Sequence, residues 1–507
     1  MPHPVHSLGR VTSGAIPFGD RDPEEACLDP YFFHPVGRID LRKTKIICTL
    51  GPASSAKEMI AELVRAGMNV ARLNFSHSTP AEHQRTVRKI REISSELARP
   101  LAVLQDLAGP KIRIGELPGG GLRLEPGGKV LLVGGDSAGS TGRIPVPRSY
   151  VLRNVQPGDP VLLADGRIEL KVEKVLPSEV LCGIVTGGLL TSFKGVTLPT
   201  RSIDVPAFTE KDRSDLLAGL EAGVDYVALS FVRDEQDILC VKEFLADRGA
   251  DTPVIAKIEK HEALEHLDGI LAAADGIMVA RGDLGVEIPL EEVPLVQKRI
   301  VEKANRIGKP VIIATQMLGS MVEAPRPTRA EALDVANAVL DGADAVMLSE
   351  ETAVGNHPLQ AVQYMARLAE RAETILKRSS YWQEPVSTTP EAIGQAVCRL
   401  AEDLGAKAIL APTQSGNTAR SVSRFRPGQD ILAFSPDPKV VRRLCLLWGV
   451  SPQEVARLRD TDDMIQKVCG FARATGRLES GELVVIAAGV PIGEPGLTNL
   501  IQVARIP

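Results

Sequence analysis

Lys257 and Glu259 stand two apart in the apolar run Pro253-Val254-Ile255-Ala256-Lys257-Ile258-Glu259-Lys260. A second apolar run, Gly276 to Ala280, leads into Arg281-Gly282-Asp283-Leu284-Gly285. Strand residues alternate sides, so Lys257 and Glu259 point the same way. If the two runs are neighbouring strands of a parallel sheet, Lys257, Glu259 and Asp283 converge at its carboxyl edge. Two carboxylates there can hold a divalent ion. Mg²⁺ suits the place best, because it keeps several waters and binds substrate phosphate as well. A lysine beside it can steady phosphoryl or enolate charge. The structural alternative is a buried Lys–Glu ion pair that closes a barrel layer, since such pairs also occupy these places.

The surrounding pattern supplies the elements that must position these groups. Apolar runs at Lys45 to Thr49, Val70 to Asn74, Leu101 to Asp106, Tyr226 to Ser230, Val254 to Glu259, Ile277 to Ala280, Val311 to Thr315 and Ala345 to Ser349 read as eight strands. Helical patterns separate them, among them Ser54 to Arg65, Val293 to Asn305 and Arg329 to Leu340, with Thr79 and Thr209 as caps. Eight alternations predict a closed (β/α)₈ barrel of α/β class, with an open doubly wound sheet as the alternative. Each strand turns from apolar to polar at its carboxyl end, at Thr49, Arg72 to Asn74, Asp106, Ser230, Glu259, Asp283, Thr315 and Ser349. In a barrel that face carries the chemistry. Eight such ends in register weigh against a merely structural pair.

The barrel pattern is interrupted and then followed by other material. Residues 42–113 and 205–380 carry the β/α rhythm; 114–204 hold short Val/Leu runs divided by Gly and Pro, which predict an inserted β-barrel domain. Residues 388–507 read as a separate C-terminal α/β domain, with strands at 406–410, 431–434 and 483–487 and helices at 437–448 and 462–475. Residues 1–41 lack periodicity and read as an N-terminal tail. The net charge of −5 provides no basic footprint for nucleic acid, and no apolar run is long enough to span a bilayer. Seven scattered cysteines without CxxC spacing, and no secretory signal, predict reduced thiols in a cytoplasmic protein.

Several segments together resemble the signatures of the pyruvate kinase family. They are Asn69 to His77, the Lys257 strand, Ala280 to Gly285, Ala314-Thr315-Gln316-Met317-Leu318 and Leu348 to Ala353. The resemblance runs from about Thr44 to the C-terminus, in the family's domain order. It implies a phosphotransferase of glycolysis that moves the phosphoryl group of phosphoenolpyruvate to ADP, giving pyruvate and ATP. Glu259 and Asp283 would hold Mg²⁺, or Mn²⁺ in its place. Lys257, Thr315 and Ser349 would be catalytic, with the two hydroxyls near the route by which the enolate is protonated. Arg72, Lys257, Gly282, Asp283 and Thr315 would bind substrate, its carboxylate resting on backbone N–H groups at Gly282 and Asp283. Arg72, His77, Arg113 and Lys194 would meet the nucleotide. Asp165 matches a family residue that reaches the site on closure, so the inserted domain would be a lid. A homotetramer is implied. For lone hydroxyls and surface cations the plainer readings are caps and solvated side chains.

Two regions concern regulation and ions. Thr413, Ser415, Asn417 and Thr418 lie between a strand and a predicted helix and match the loop that the family uses for a phosphorylated effector; plain helix capping is the alternative. The companion loop, Pro491 to Asn499, lacks the Trp and Arg of animal enzymes and carries Glu494. That puts fructose 1,6-bisphosphate in question as the effector and leaves a monophosphate such as ribose 5-phosphate or AMP an equal alternative. Many members also need K⁺, held by oxygens matching Asn74, Ser76, Asp106 and a threonine. Here that threonine is Leu107, and Lys111 stands where K⁺-requiring members carry Glu. The chain therefore resembles a bacterial-like subtype for which K⁺ is not required, the Lys111 ammonium supplying the charge. A metal-dependent lyase and a non-catalytic scaffold on the same fold are the rival functional classes.

Overall fold

The protein is described here from a computed structural model that covers residues 42–135, 139–140, 142–153, 155–199, 205–376, 386–474, 476–492 and 496–507. The expected tail at 1–41, the connections at 200–204 and 377–385, and Glu494 lie outside the described residues.

Eight parallel strands close a barrel: β1 (Lys45–Thr49), β2 (Val70–Asn74), β3 (Ala102–Asp106), β4 (Tyr226–Leu229), β5 (Val254–Ile258), β6 (Gly276–Ala280), β7 (Val311–Ala314) and β8 (Ala345–Leu348). Each pairs with its neighbours in sequence, and β1 closes on β8 through Lys45↔Ala345 to Cys48↔Leu348. The alternation of strand side chains sorts two cores. Val227, Leu229, Val254, Ala256, Ile277 and Val279 face outward to the helices. Ile47, Val70, Leu104, Ala228, Ile255, Met278, Ile312 and Met347 fill the interior. Following the inward parity upward reads Val70, Arg72, Asn74; then Leu104, Asp106; then Ala228, Ser230; then Ile255, Lys257, Glu259. The interior is thus apolar below and polar at the carboxyl rim.

Local signals account for most boundaries. Thr79 and Thr209 each close a capping box, with Glu82 and Asp212, and open the helices Pro80–Glu96 and Glu210–Ala222. The first helix begins later than expected, at Lys57. Ser54 instead accepts the Gly51 N–H at 3.1 Å and ends a separate single turn, Pro52–Ser54. Strand β7 stops at Ala314, because Thr315 and Gln316 both adopt positive φ, at 70° and 55°.

The insertion is all β, but its ladders form an open six-stranded sheet and a two-stranded ribbon rather than a closed β-barrel. The sheet ends at Arg143–Val146 on one side and Val196–Thr197 on the other, and these edges do not pair. One apolar core lies between sheet and ribbon, including Leu124, Leu132, Val161, Leu170 and Leu190. The insertion leaves and rejoins the barrel through a two-stranded stem, where Arg113 bridges Gly195 and the Ile114 N–H meets the Lys194 carbonyl at 2.9 Å.

The C-terminal domain has a five-stranded sheet in the order Val450–Glu454, Asp430–Ser435, Ala408–Pro412, Leu483–Ala488, Leu500–Arg505. The two outermost strands are additional to the three expected. Pro452, Gln453 and Glu454 mask one, and the other is an edge strand with three exposed residues. The helix expected over 437–448 is shorter, Pro438–Leu444. This domain seals the amino end of the barrel: Cys445 and Leu446 join its interior core. The Lys45 ammonium donates to the Val450 carbonyl at 2.8 Å, and the Tyr226 hydroxyl to the Arg443 carbonyl at 2.7 Å. Buried Arg426 pairs with Asp344, just before β8, at 2.9 Å. All six cysteines among the described residues are free thiols. No helix among the described residues is long and apolar enough to cross a membrane.

Candidate functional site

At the carboxyl rim, the Lys257 ammonium is held by three oxygens: Ser230 Oγ at 2.7 Å, Glu259 Oε1 at 2.8 Å and Asp106 Oδ1 at 3.2 Å. Burial alone would lower the Lys257 pKa; Asp106 and Glu259 outweigh it and push it up, so the ammonium stays charged. Asp106 is also buried. Its desolvation is overcome by Lys257 and by Arg72, whose Nε lies 2.7 Å from Asp106 Oδ2, and its carboxyl is held below the usual range. Arg72 is fixed further by Nη1 donating to Thr49 Oγ1 at 2.8 Å. The structural alternative raised from sequence, a buried Lys–Glu pair, is therefore present, but as one edge of a larger charged cluster at the open end of the barrel.

Glu259 Oε2 accepts the Phe231 N–H at 2.7 Å. Burial and the nearby Asp283 charge raise its pKa against the pull of Lys257. Two carboxylates that repel one another beside a cleft are an oxygen donor set that a divalent cation relieves. Asp283 follows β6, in the short helix Arg281–Glu287, and its Oδ1 takes the Lys111 ammonium at 3.2 Å. Lys111 thus reaches a metal-candidate carboxylate while remaining half-buried at the cleft. Of the other monovalent-cation positions, Asn74 Oδ1 accepts the Ser76 N–H at 3.0 Å and Ser76 is exposed. Leu107 is buried and presents its carbonyl to Ser230 Oγ at 2.7 Å.

Thr315 lies beside Gly282. Its Oγ1 accepts the Gly282 N–H at 2.7 Å, so this amide is occupied by the hydroxyl that would share the substrate carboxylate. Arg281 braces the strained Thr315 by donating to its carbonyl at 2.9 Å, and itself pairs with Asp334 at 2.6 Å. Ser349 Oγ is buried and has no hydrogen-bond partner, which leaves it able to take a water or a reacting group.

Another set of potential ligands, His261, Glu262 and Glu287, has donor atoms within 4.8 Å of one another. Lys260 Nζ sits 2.6 Å from Glu287 Oε1, so this set already has its counter-charge. Ser230 was marked in the sequence only as a polar strand end, and the Phe231 amide was not marked at all. The signal for Ser230 is parity, since it continues the inward series of β4.

The cleft between barrel and inserted domain holds ≈ 740 Å³ of space, part of it open to solvent, bordered by Lys111, Asp165, Phe231, Arg233 and Asp283. Asp165 sits in a turn at φ 57° and faces the barrel across this cavity. Arg113 and Lys194 lie together on the exposed stem, Arg113 Nη1 donating to the Phe193 carbonyl at 3.0 Å. His77 is exposed on the barrel side, and its carbonyl meets the His83 ring nitrogen at 2.9 Å.

In the C-terminal domain, Thr413, Ser415, Asn417 and Thr418 border a second cavity of ≈ 450 Å³ with Gly489, Ile492 and Leu497. Thr413 Oγ1 accepts the Gly416 N–H at 2.9 Å, a bond within the turn, while the helix Asn417–Ser423 has no side-chain cap; Thr418 shares a 2.9 Å hydrogen bond with Thr498. Ser415 and Asn417 are exposed at the cavity mouth.

Comparison with known proteins agrees with this architecture. The family model "Pyruvate kinase, barrel domain" matches residues 41–362 and "Pyruvate kinase, alpha/beta domain" matches 391–504. Pyruvate kinase 2 of Synechocystis sp. is 47% identical over 472 residues, 91% of this chain and 79% of that protein. The pyruvate kinase of Geobacillus stearothermophilus is 46% identical over 469 residues, 91% of this chain and 80% of that one. That of Clostridium acetobutylicum is 42% identical over 469 residues, 91% and 99% of the two chains. A crystal structure of a pyruvate kinase from Cryptosporidium parvum superposes with a TM-score of 0.87 at 36% identity, covering 93% of this chain and 98% of that one. With barrel, inserted domain, terminal domain and rim chemistry all in place, this chain belongs to the pyruvate kinase family.

Proposed function

We propose that the protein transfers the phosphoryl group of phosphoenolpyruvate to ADP, giving pyruvate and ATP. The observation that carries this reading is the buried, charged Lys257 ammonium set between carboxylates at the open end of the barrel. In the transfer, the P–O bond to the enol oxygen breaks, a new P–O bond forms to the ADP terminal phosphate, and the enolate carbon takes a proton. Such a reaction is served by charge neutralisation and alignment rather than by a nucleophilic side chain. Lys257 neutralises charge on the moving phosphoryl and the enolate oxygen. Arg72, anchored at Thr49 and Asp106, presents the rest of its guanidinium to phosphate. The substrate carboxylate displaces Thr315 Oγ from the Gly282 amide and takes both as donors, with the Asp283 amide beside them.

Glu259 and Asp283 would hold Mg²⁺, or Mn²⁺ in its place; when bound, the ion supplies positive charge to the substrate oxygens. Ser349 Oγ, buried without a partner, suits a water-linked relay that returns the proton, with Thr315 orienting it. Across the cleft, Asp165 and the Arg113–Lys194 stem serve a lid that closes over the nucleotide and excludes water from the transfer. His77 meets the nucleotide from the barrel side. Lys111, paired with Asp283, supports turnover without K⁺. A phosphorylated effector at the Thr413–Thr418 cavity, a homotetramer and a cytoplasmic location complete the proposal. Exposed Leu290, Leu295 and Leu333 on the barrel support assembly.

The test is pyruvate release from phosphoenolpyruvate, with and without ADP. ADP-dependent pyruvate and ATP in equal amounts support the transfer; pyruvate and inorganic phosphate without ADP would mean that water takes the phosphoryl group, and no turnover of phosphoenolpyruvate would leave the lyase and scaffold classes open.

A further inference from the structure

Ser230 stands at the crossing of the rim contacts, and it directly follows β4, on the inward parity of Ala228. It is buried, 3% exposed. Its Oγ lies 2.7 Å from Lys257 Nζ, 2.7 Å from the Leu107 carbonyl and 3.4 Å from Asp106 Oδ1. An ammonium only donates, so Ser230 Oγ must accept from Lys257. Its own single proton then goes to the Leu107 carbonyl, the nearer of the two acceptors. The orientation of the hydroxyl is thereby fixed from both sides.

The three oxygens around Lys257 match the three protons that its ammonium carries. Two are anionic and belong to residues with other partners: Asp106 also holds Arg72, and Glu259 also takes the Phe231 amide. Ser230 is the only neutral one of the three. The loop after β3 presses on it as well. Gly109 has φ 63°, and a Cβ there would come within 2.8 Å of the Phe231 ring and 3.1 Å of Ser230 Cβ. The Ser230–Phe231 step therefore grips Lys257 through a hydroxyl and Glu259 through an amide.

We propose that Ser230 is a positioning residue for Lys257, holding its ammonium at the angle required when the phosphoryl group moves. This rests on the reading of Lys257 as the group that stabilises the transfer. Without the hydroxyl, the ammonium swings toward its two carboxylates and leaves a buried donor and the Leu107 carbonyl unmatched. Because Ser230 acts through the Lys257 ammonium, the loss falls on kcat and not on phosphoenolpyruvate affinity.

The experiment measures kcat, KM for phosphoenolpyruvate and melting temperature in Ser230→Ala, Ser230→Cys, Ser230→Thr, Lys257→Met and the Lys257→Met/Ser230→Ala double variant. Removing a hydrogen bond to a charged group predicts a kcat lower by roughly tenfold or more in Ser230→Ala and Ser230→Cys. KM should change less than about threefold, as expected when an interaction made only in the transition state is lost. Ser230→Thr, which keeps the hydroxyl, should restore most of the rate. The double variant should be no slower than Lys257→Met alone, since Ser230 acts through Lys257. Wild-type kcat in Ser230→Ala, an equal loss in a folded Ser230→Thr, a further loss in the double variant, or a rate loss explained by a collapsed melting temperature would each overturn the inference. If Lys257→Met itself keeps normal turnover, the functional reading beneath it fails instead.

Discussion

At the scale of single residues, the rim cluster makes its predictions by charge. Glu259→Gln and Asp283→Asn each remove an anionic oxygen from the proposed ion site, and each should lower turnover by about a hundredfold or more at ordinary Mg²⁺. Folding should survive, because both residues lie beyond strand ends at the open rim. Steady-state kinetics beside thermal melts checks this, and wild-type activity in either variant removes the metal assignment. Lys111 makes a second prediction. Its ammonium is 3.2 Å from Asp283, so its charge bears on the metal-candidate carboxylate. Turnover in tetramethylammonium chloride should match turnover in KCl at equal ionic strength. Lys111→Glu should weaken activity and bring back a response to K⁺, since it exchanges the resident cation for an anion. A strong KCl requirement in the unaltered protein defeats this reading. Acid titration of Asp106 makes a third. Its folded pKa lies below the unfolded value, so it contributes stability above pH ~4 that is lost as the pH falls through the folded pKa. Asp106→Asn should therefore flatten the acid limb of a melting-temperature profile below about pH 4.

Among the secondary-structure elements, the barrel was legible because two periodicities coincided. Apolar runs of strand length alternated with capped helices, and every run ended in a polar residue. Lys257, Glu259 and Asp106 could be aligned on one rim from parity alone. What parity could not provide was which oxygen each nitrogen would take. Parity put Ser230 at the rim but not its hydrogen bonds, the Phe231 amide has no distinguishing sequence pattern, and the Lys111–Asp283 contact joins segments far apart in the chain. Edge strands were hidden for another reason. Val450–Glu454 contains proline and acid, and Leu500–Arg505 is half solvent-facing, so neither shows the buried apolar run of a central strand. In the C-terminal domain, the loop after Ala408–Pro412 shows no side-chain cap on the helix Asn417–Ser423. Thr413 holds the turn through the Gly416 amide, and Ser415 and Asn417 stand open at the cavity. Replacing Thr413, Ser415 and Thr418 together by Ala should abolish activation by a phosphorylated metabolite and leave saturated turnover within about twofold, because no part of the loop reaches the rim. Effector titrations of the triple variant check it; an unchanged response leaves the loop a structural turn only.

Across the whole molecule, the chemistry and the terminal domain occupy opposite ends of the barrel. The junction at the amino end is a buried ionic lock. Arg426 is 1% exposed and bonds both oxygens of Asp344, the Asn305 side chain and the Gly342 carbonyl. Removing one member of such a pair strands the other, so Arg426→Ala should destabilise the protein by roughly 3–5 kcal/mol. Arg426→Ala/Asp344→Ala should recover part of that loss, and denaturant titration of the set measures the coupling. The two-stranded stem of the inserted domain has a consequence for how the chain finds its fold. Strands β3 and β4 are neighbours in the barrel, yet the whole insertion separates them along the chain, and β1 must wait for β8. Contacts of such long range slow folding, because loop closure precedes the reward of pairing. When Arg113 meets Gly195, the stem takes residues 114–194 out of that loop and leaves only the segments 107–113 and 195–225 to be closed. The insertion then acts as an internal clamp in assembly, bringing β3 to β4 before the barrel closes. Refolding of a variant with a weakened stem should show a slower barrel phase, even where the finished molecule is equally stable.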